Sequence, residues 1–248
     1  MKHKIHIIFI LLLISFLFNG CLRTYYPVIH QTNASPIVFA NEQNLNSHSG
    51  FMGADLTFSK GLHEDEYFNL FKVTYLNART TDYVNINYQG FGYTGFYRVA
   101  GLSPNYDGNQ SVIGIGTDFK FGTNFKWNKF KAGIGLNAGI GIEFGEYHDF
   151  RINAARAGLI ESNSSLVYGI FSLFPYFSYS INETMVLSTQ VNVGIPGLFS
   201  PSIVLNNNGY IYWISWIPTK NLLNNFYDQR LNMGFMIELD KLLNKKQM

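Results

Sequence analysis

The chain has 248 residues, 14% of them charged and 17% aromatic, with 23 glycines and one cysteine. This composition excludes intrinsic disorder, and 18 basic against 16 acidic side chains leave no electrostatic footprint for nucleic acid. One cysteine excludes a disulfide framework and a cysteine-based zinc site.

The first element is a leader. Lys2, His3 and Lys4 form a positive start, followed by an almost unbroken apolar run from Ile5 to Phe18. Its 14 residues suit the core of a signal peptide better than a membrane helix, which needs about 20. The run ends in Leu17-Phe18-Asn19-Gly20-Cys21, which resembles the lipobox of bacterial lipoproteins. That resemblance implies cleavage after residue 20 and a lipid on Cys21; the alternative is an ordinary secretory signal with an incidental cysteine. Cleavage removes Lys2 and Lys4 and no acid, so the mature chain is balanced in charge. No apolar run after Cys21 reaches 18 residues, so no membrane helix is expected there.

Residues 21–50 are polar and aperiodic and read as an N-terminal tether or a loosely packed N-terminal strap. From residue 51 the period is two, and 51–240 reads as one β-barrel followed by a polar tail, 241–248. Eight strands are predicted: 51–60, 67–77, 82–98, 111–127, 130–146, 165–181, 185–197 and 229–240. The alternation slips near Gly90-Phe91-Gly92, which suggests a bulge. The clearest segment is Val112–Gly145. Ile113, Ile115, Phe119, Phe121, Phe125 and Trp127 alternate with Gly114, Gly116, Asp118, Lys120, Gly122 and Lys126. After Asn128-Lys129 the parity flips, so Phe130, Ile134, Leu136, Ile140 and Phe144 become the apolar set. A two-residue turn there pairs Trp127 with Phe130, Phe121 with Leu136 and Ile113 with Phe144, and both apolar sets share one side of the sheet.

Each arm of this hairpin is about 16 residues, against a mode of 5–6 for soluble strands. Transmembrane strands need about 9–11 residues and often project beyond the bilayer. Short turns (78–81, 128–129, 182–184) alternate with longer connections (61–66, 99–110, 147–164, 198–228), as in an outer-membrane barrel. The even count puts both barrel ends at the short-turn, periplasmic side, where a lipid on Cys21 would also lie. Stretch 198–228 holds Asn206-Asn207-Asn208-Gly209 and then Tyr210, Tyr212, Trp213 and Trp216 within eight residues. It reads as an extra hairpin raising the count to ten, as a partner-binding surface, or as aromatics at the membrane interface.

Alternation leaves two orientations open. In a membrane barrel the apolar face meets lipid, and the glycines of the other face make room in the lumen for bulky side chains. In a soluble lipocalin-like barrel the apolar face turns inward. In the first case Asp55, Asp118, Lys120, Lys126, Glu143, Arg230 and Glu238 line the lumen, as a structural ion-pair network or as the lining of a small pore. His63-Glu64-Asp65-Glu66 and His148-Asp149 could together hold a divalent cation, although solvated loops are the simpler reading. Ser59 and Ser103 carry no nucleophile–base signature.

Taken together, Cys21, Thr24-Tyr25-Tyr26-Pro27 and the alternating Gly/aromatic strands from Phe51 to Leu239 resemble small outer-membrane β-barrel lipoproteins of Gram-negative bacteria, of the kind common in the Bacteroidetes. One departure is the tail 241–248, where such barrels end in an aromatic residue. The resemblance implies an all-β, antiparallel, up-and-down transmembrane barrel of about eight strands, alternatively ten. It would be anchored in outer-membrane lipid with its N-terminus periplasmic. The function expected is structural or partner-binding among envelope proteins, without catalysis, cofactor or metal. The alternatives are a surface-attached soluble barrel or sandwich that binds a ligand, and a small porin.

Overall fold

A computed structural model describes residues 22–40, 47–217 and 230–244. The leader, Cys21 and residues 245–248 of the C-terminal tail lie outside the described residues. Ten antiparallel strands close into one barrel: β1 (Ser47–Lys60), β2 (Tyr67–Thr80), β3 (Val84–Val99), β4 (Gly108–Thr123, resumed as Phe125–Trp127), β5 (Phe130–Phe144), β6 (Val167–Ser180), β7 (Met185–Ile195), β8 (Leu198–Asn207), β9 (Tyr210–Ile217) and β10 (Arg230–Glu238). Each pairs with its neighbour in sequence, and β10 pairs with β1, so every edge is consumed.

The hairpin of β4 and β5 has the predicted register. Trp127 faces Phe130, Phe121 faces Leu136 and Ile113 faces Phe144, around a turn in which Asn128 takes φ 53°. The count of eight is corrected to ten. Stretch 198–228 contains β8 and β9, joined at Asn208-Gly209, and β7 turns into β8 through Pro196-Gly197 alone. The expected bulge near Gly90 is also absent, because the β2–β3 register runs unbroken from Tyr67↔Arg98 to Thr80↔Asn85. The slip has another cause. Phe91 and Tyr93 turn inward like Asn85, Asn87 and Gln89 before them, so the inner face changes from polar to aromatic along one strand.

Those inward aromatics fit because glycines stand opposite them across the ladder. Tyr93 faces Gly114, Phe91 faces Gly116, Phe174 faces Gly135 and Trp213 faces Gly234. A Cβ on Gly114 would stand 2.2 Å from Tyr93 Cζ, and one on Gly135 2.3 Å from Phe174 Cζ, so each ring occupies its partner's side-chain space. This is the role expected of lumen glycines.

The outer face carries the apolar set. Ile113, Ile115, Ile134, Ile140 and Phe171 are each at least half exposed, and Phe71, Leu173, Phe177 and Phe235 are exposed as well. The lipocalin-like orientation is thereby overturned. No described helix is long and apolar enough to cross a membrane. Among the described residues two α-helices occur, α1 (Glu146–Arg156) between β5 and β6 and α2 (Leu239–Asn244) after β10. A short parallel pair, Arg23–Tyr25 with Ile160–Ser162, lies outside the barrel ladder.

The N-terminal segment is a strap, packed tightly rather than loosely. Residues 27–40 are buried apart from half-buried His30, and they run through the inside of the barrel. Arg23 donates to Ala100 O in the β3–β4 connection, and Ala40 N donates to Thr80 Oγ1 at the last residue of β2. The described chain therefore begins at the long-loop end and descends to the short-turn end, where β1 starts.

Candidate functional site

The strands present an inner wall that is polar and buried, and the descending N-terminal strap fills the space between. Along the barrel axis the filling has three levels. At the long-loop end Tyr25, Val28 and Ile29 of the strap pack with Phe68, Tyr93, Tyr97, Val112, Tyr168 and, from α1, Tyr147 and Phe150. At the short-turn end Val38 and Ala40 pack with Phe51, Leu76, Trp213 and Met236, and Ile37 and Phe39 pack with Phe174 and Tyr176. Between them lies a polar belt.

Buried charges require partners, and the belt supplies them. Asp55 pairs with Lys72 Nζ at 3.0 Å and accepts from Asn232 Nδ2 at 2.7 Å, while Lys72 also donates to strap Ser35 Oγ at 2.9 Å. Trp213 Nε1 donates to the same Asn232 at 2.9 Å. Asp118 holds Lys120 Nζ at 2.9 Å and accepts from Gln89. Asn87 clasps the strap in both directions, accepting from Val38 N at 2.7 Å and donating to Val38 O at 2.8 Å. Gln190 accepts from Ile37 N at 2.8 Å.

Glu143 sits at the junction of wall, strap and cap. Fully buried, it takes Arg151 Nη2 of α1 at 3.0 Å, strap Val28 N at 2.7 Å and Tyr93 OH at 3.3 Å. Arg230 Nη1 donates to Gln31 O at 3.1 Å, again to the strap. Glu238, buried at the short-turn end, accepts from Ser49 and lines a cavity of about 440 Å³ with Asn182, Asn206 and Asn208. Six of the seven predicted lumen charges are thus inside. Lys126 is not: it is exposed at the tip of the β4–β5 hairpin.

The aromatic quartet of β9 is split by strand alternation rather than gathered into one surface. Trp213 points inward and is buried, Tyr212 is exposed on the outer face, and Tyr210 and Trp216 are half-buried. The acidic cluster divides too. Glu66 is buried and accepts from Tyr25 OH and Tyr97 OH, whereas Glu64 and Asp65 are exposed. His63 packs its ring on Tyr25 with centroids 5.0 Å apart, and buried His148 lies beside Arg151, Nδ1 to Nη2 3.3 Å. Among the described residues no group of three His, Cys, Asp or Glu is placed to hold a metal ion. Ser59 Oγ donates to Lys60 O, so no base stands behind it.

Burial has titration consequences at the cap. It pushes the Tyr25 phenol up, with Glu66 adding to the effect, and the Tyr147 phenol up, with Glu143 adding to it. It also lowers the His148 imidazole, which Arg151 lowers further. These groups stay neutral and act as hydrogen-bonding and packing elements.

Lys72, Arg151 and the strap's passage through the lumen were not singled out from sequence. Arg151 has a signal: Tyr147, Phe150, Arg151 and Ala154 are the buried face of α1 at helical spacing, and a cation within that stripe calls for a buried acid.

No known protein family matches the chain, and no curated protein matches it. Among solved structures it is similar to Neisserial surface protein A (10% identity, 77% of this chain and 99% of that chain, TM-score 0.36). It is also similar to the outer membrane protein OprG from Pseudomonas aeruginosa (10% identity, 82% and 97%, TM-score 0.36). A third is an outer membrane channel from Pseudomonas putida F1 (9% identity, 83% and 99%, TM-score 0.40). At these values the likeness decides nothing about this chain, whose own geometry has to.

Proposed function

We propose that this protein spans the outer membrane as a closed, lipid-anchored barrel with a structural or partner-binding role in the cell envelope, and that it catalyses no reaction. The observation that carries the reading is the division of the strand faces. The outward face is largely apolar, and the exposed charges of the described barrel strands fall near the ends, at Lys60, Arg79, Arg98 and Lys126. On β2 the uncharged outward stretch runs from Tyr67 to Asn77, eleven residues, which matches the roughly 9–11 of a transmembrane strand. Removing one such large apolar side chain from water is worth about 1.5–3 kcal/mol, so a whole belt of them calls for hydrocarbon around the barrel.

The closed state follows from the filling. Among the described residues the strap, paired charges and aromatic cap occupy the lumen, which supports a structural protein over a small porin. Among the described residues Ser59 donates to Lys60 O and has no base behind it, which supports a role without acyl or phosphoryl transfer. Cys21 supplies the anchor, and the loops at the rim supply the surface offered to envelope partners.

The test combines three measurements on the full chain. Carbonate-resistant membrane association, heat-modifiable gel mobility and silence in planar bilayers are expected. Carbonate release overturns the membrane reading, and steady conductance overturns the closed one.

A further inference from the structure

We infer that the N-terminus of the mature protein crosses the membrane inside its own barrel and emerges on the long-loop side, so that a lipid on Cys21 enters the leaflet on that side. The inference rests on the membrane reading above and replaces the expectation of a periplasmic N-terminus.

The order of strap contacts gives the direction of travel. Arg23 donates to Ala100 O at 2.6 Å, in the β3–β4 connection. Tyr25 hydroxyl donates to Glu66, in the β1–β2 connection. Val28 meets Glu143 one residue before β5 ends, and Gln31 meets Arg230 where β10 begins; both positions are at the long-loop end. Ser35 then meets Lys72 in the middle of β2, Val38 meets Asn87 near the start of β3, and Ala40 meets Thr80 at the short-turn end. The strap's contacts thus pass from the long-loop end (Arg23 to Gln31) through mid-barrel (Ser35) to the short-turn end (Ala40). β1 opens beside that last contact, with Ser47 paired to Thr80.

Two features carry the anchor to the lipid. Leu22 is exposed, and Arg23 is held against the β3–β4 connection, so the chain leaves the lumen at the rim and not along the central axis. Cys21 immediately precedes Leu22 in the sequence.

The test labels single cysteines on intact cells with a membrane-impermeant maleimide, in the full chain with Cys21 retained and wild-type labelling as background. The positions are Tyr26→Cys, Glu64→Cys in a long loop and Asp82→Cys in a short turn, all exposed. The expected result is that Tyr26→Cys and Glu64→Cys label together, and that Asp82→Cys has the opposite accessibility until the membrane is permeabilised. If Tyr26→Cys follows Asp82→Cys instead, the threading is overturned while the barrel reading survives. Equal labelling at all three positions before and after permeabilisation overturns the membrane reading itself, and the inference with it. Fatty-acid labelling of wild type that is lost in Cys21→Ser is expected; its absence from wild type overturns the anchor alone.

Discussion

The two faces of β4 and β5 obey opposite rules. Outward, Ile113, Ile115, Ile134 and Ile140 are exposed and unpaired with anything polar. Inward, Asp118, Lys120, Asn137 and Glu143 are buried almost completely. A soluble domain distributes these residue types the other way round. The difference teaches that the hydrophobic effect does not by itself pack this lumen: the outer face keeps its apolar side chains exposed, and the interior is held by matched charges, hydrogen bonds and a peptide threaded through them. It follows that the faces should respond oppositely to the same kind of substitution.

The largest effect is expected inside. Arg151→Met leaves Glu143 buried without its cation, and breaking such a pair typically costs about 3–5 kcal/mol. Urea unfolding of the protein in lipid vesicles should show the midpoint fall accordingly, and an unchanged midpoint would mean that the cap is not coupled to the wall. Next comes the outer face: Leu136→Arg, near the middle of β5, should lose about 2–4 kcal/mol by the same assay. In a barrel that met water there, the substitution would be close to neutral. Third, Gly135→Val drives a side chain into the ring of Phe174 and should lose about 1–3 kcal/mol. The same change at Gly90, where nothing lies within 4 Å, should be tolerated.

The smallest effect sharpens the contrast between barrel and loops. In the β3–β4 connection Asp107 accepts from the backbone N–H of Leu102, Ser103 and Gly101, and these bonds hold its carboxyl below the usual carboxylate range. Because the folded value is the depressed one, its stabilisation is complete above the unfolded value and is lost as pH falls through the folded one. Amide exchange at residues 101–103 should quicken on acidification, and Asp107→Asn should abolish that dependence.

Much of the barrel was legible because a strand with lipid on one side and a polar lumen on the other writes a clean period of two. The β4–β5 hairpin shows it best, since a parity flip across Asn128-Lys129 is meaningful only if both arms share their faces. β8 was harder to see. Pro201 sits within it, opposite Val191, and a proline within a run argues against a strand. The run is also set off only by the tight Pro196-Gly197 turn, at an end where long connections were expected. The strap left no pattern for a different reason: surrounded on every side, residues 27–40 have no solvent face, so nothing alternates. Of the site, the acids and bases on strands could be read by parity. Their partners Arg151 and Ser35 could not, because they come from a loop helix and from the strap, where parity has no meaning.

The central claim, that hydrocarbon is outside and the polar belt and strap are inside, is tested most directly by collisional accessibility of spin labels along β5. In a Cys21→Ser background reconstituted into vesicles, labels at successive positions from Ala132 to Ile142 are read against oxygen, which concentrates in lipid, and against a water-soluble nickel chelate. The account predicts oxygen accessibility with a period of two, high at Ile134, Leu136, Ala138 and Ile140 and low at Asn137. Chelate accessibility at those same outward positions, or no periodicity at all, would contradict it.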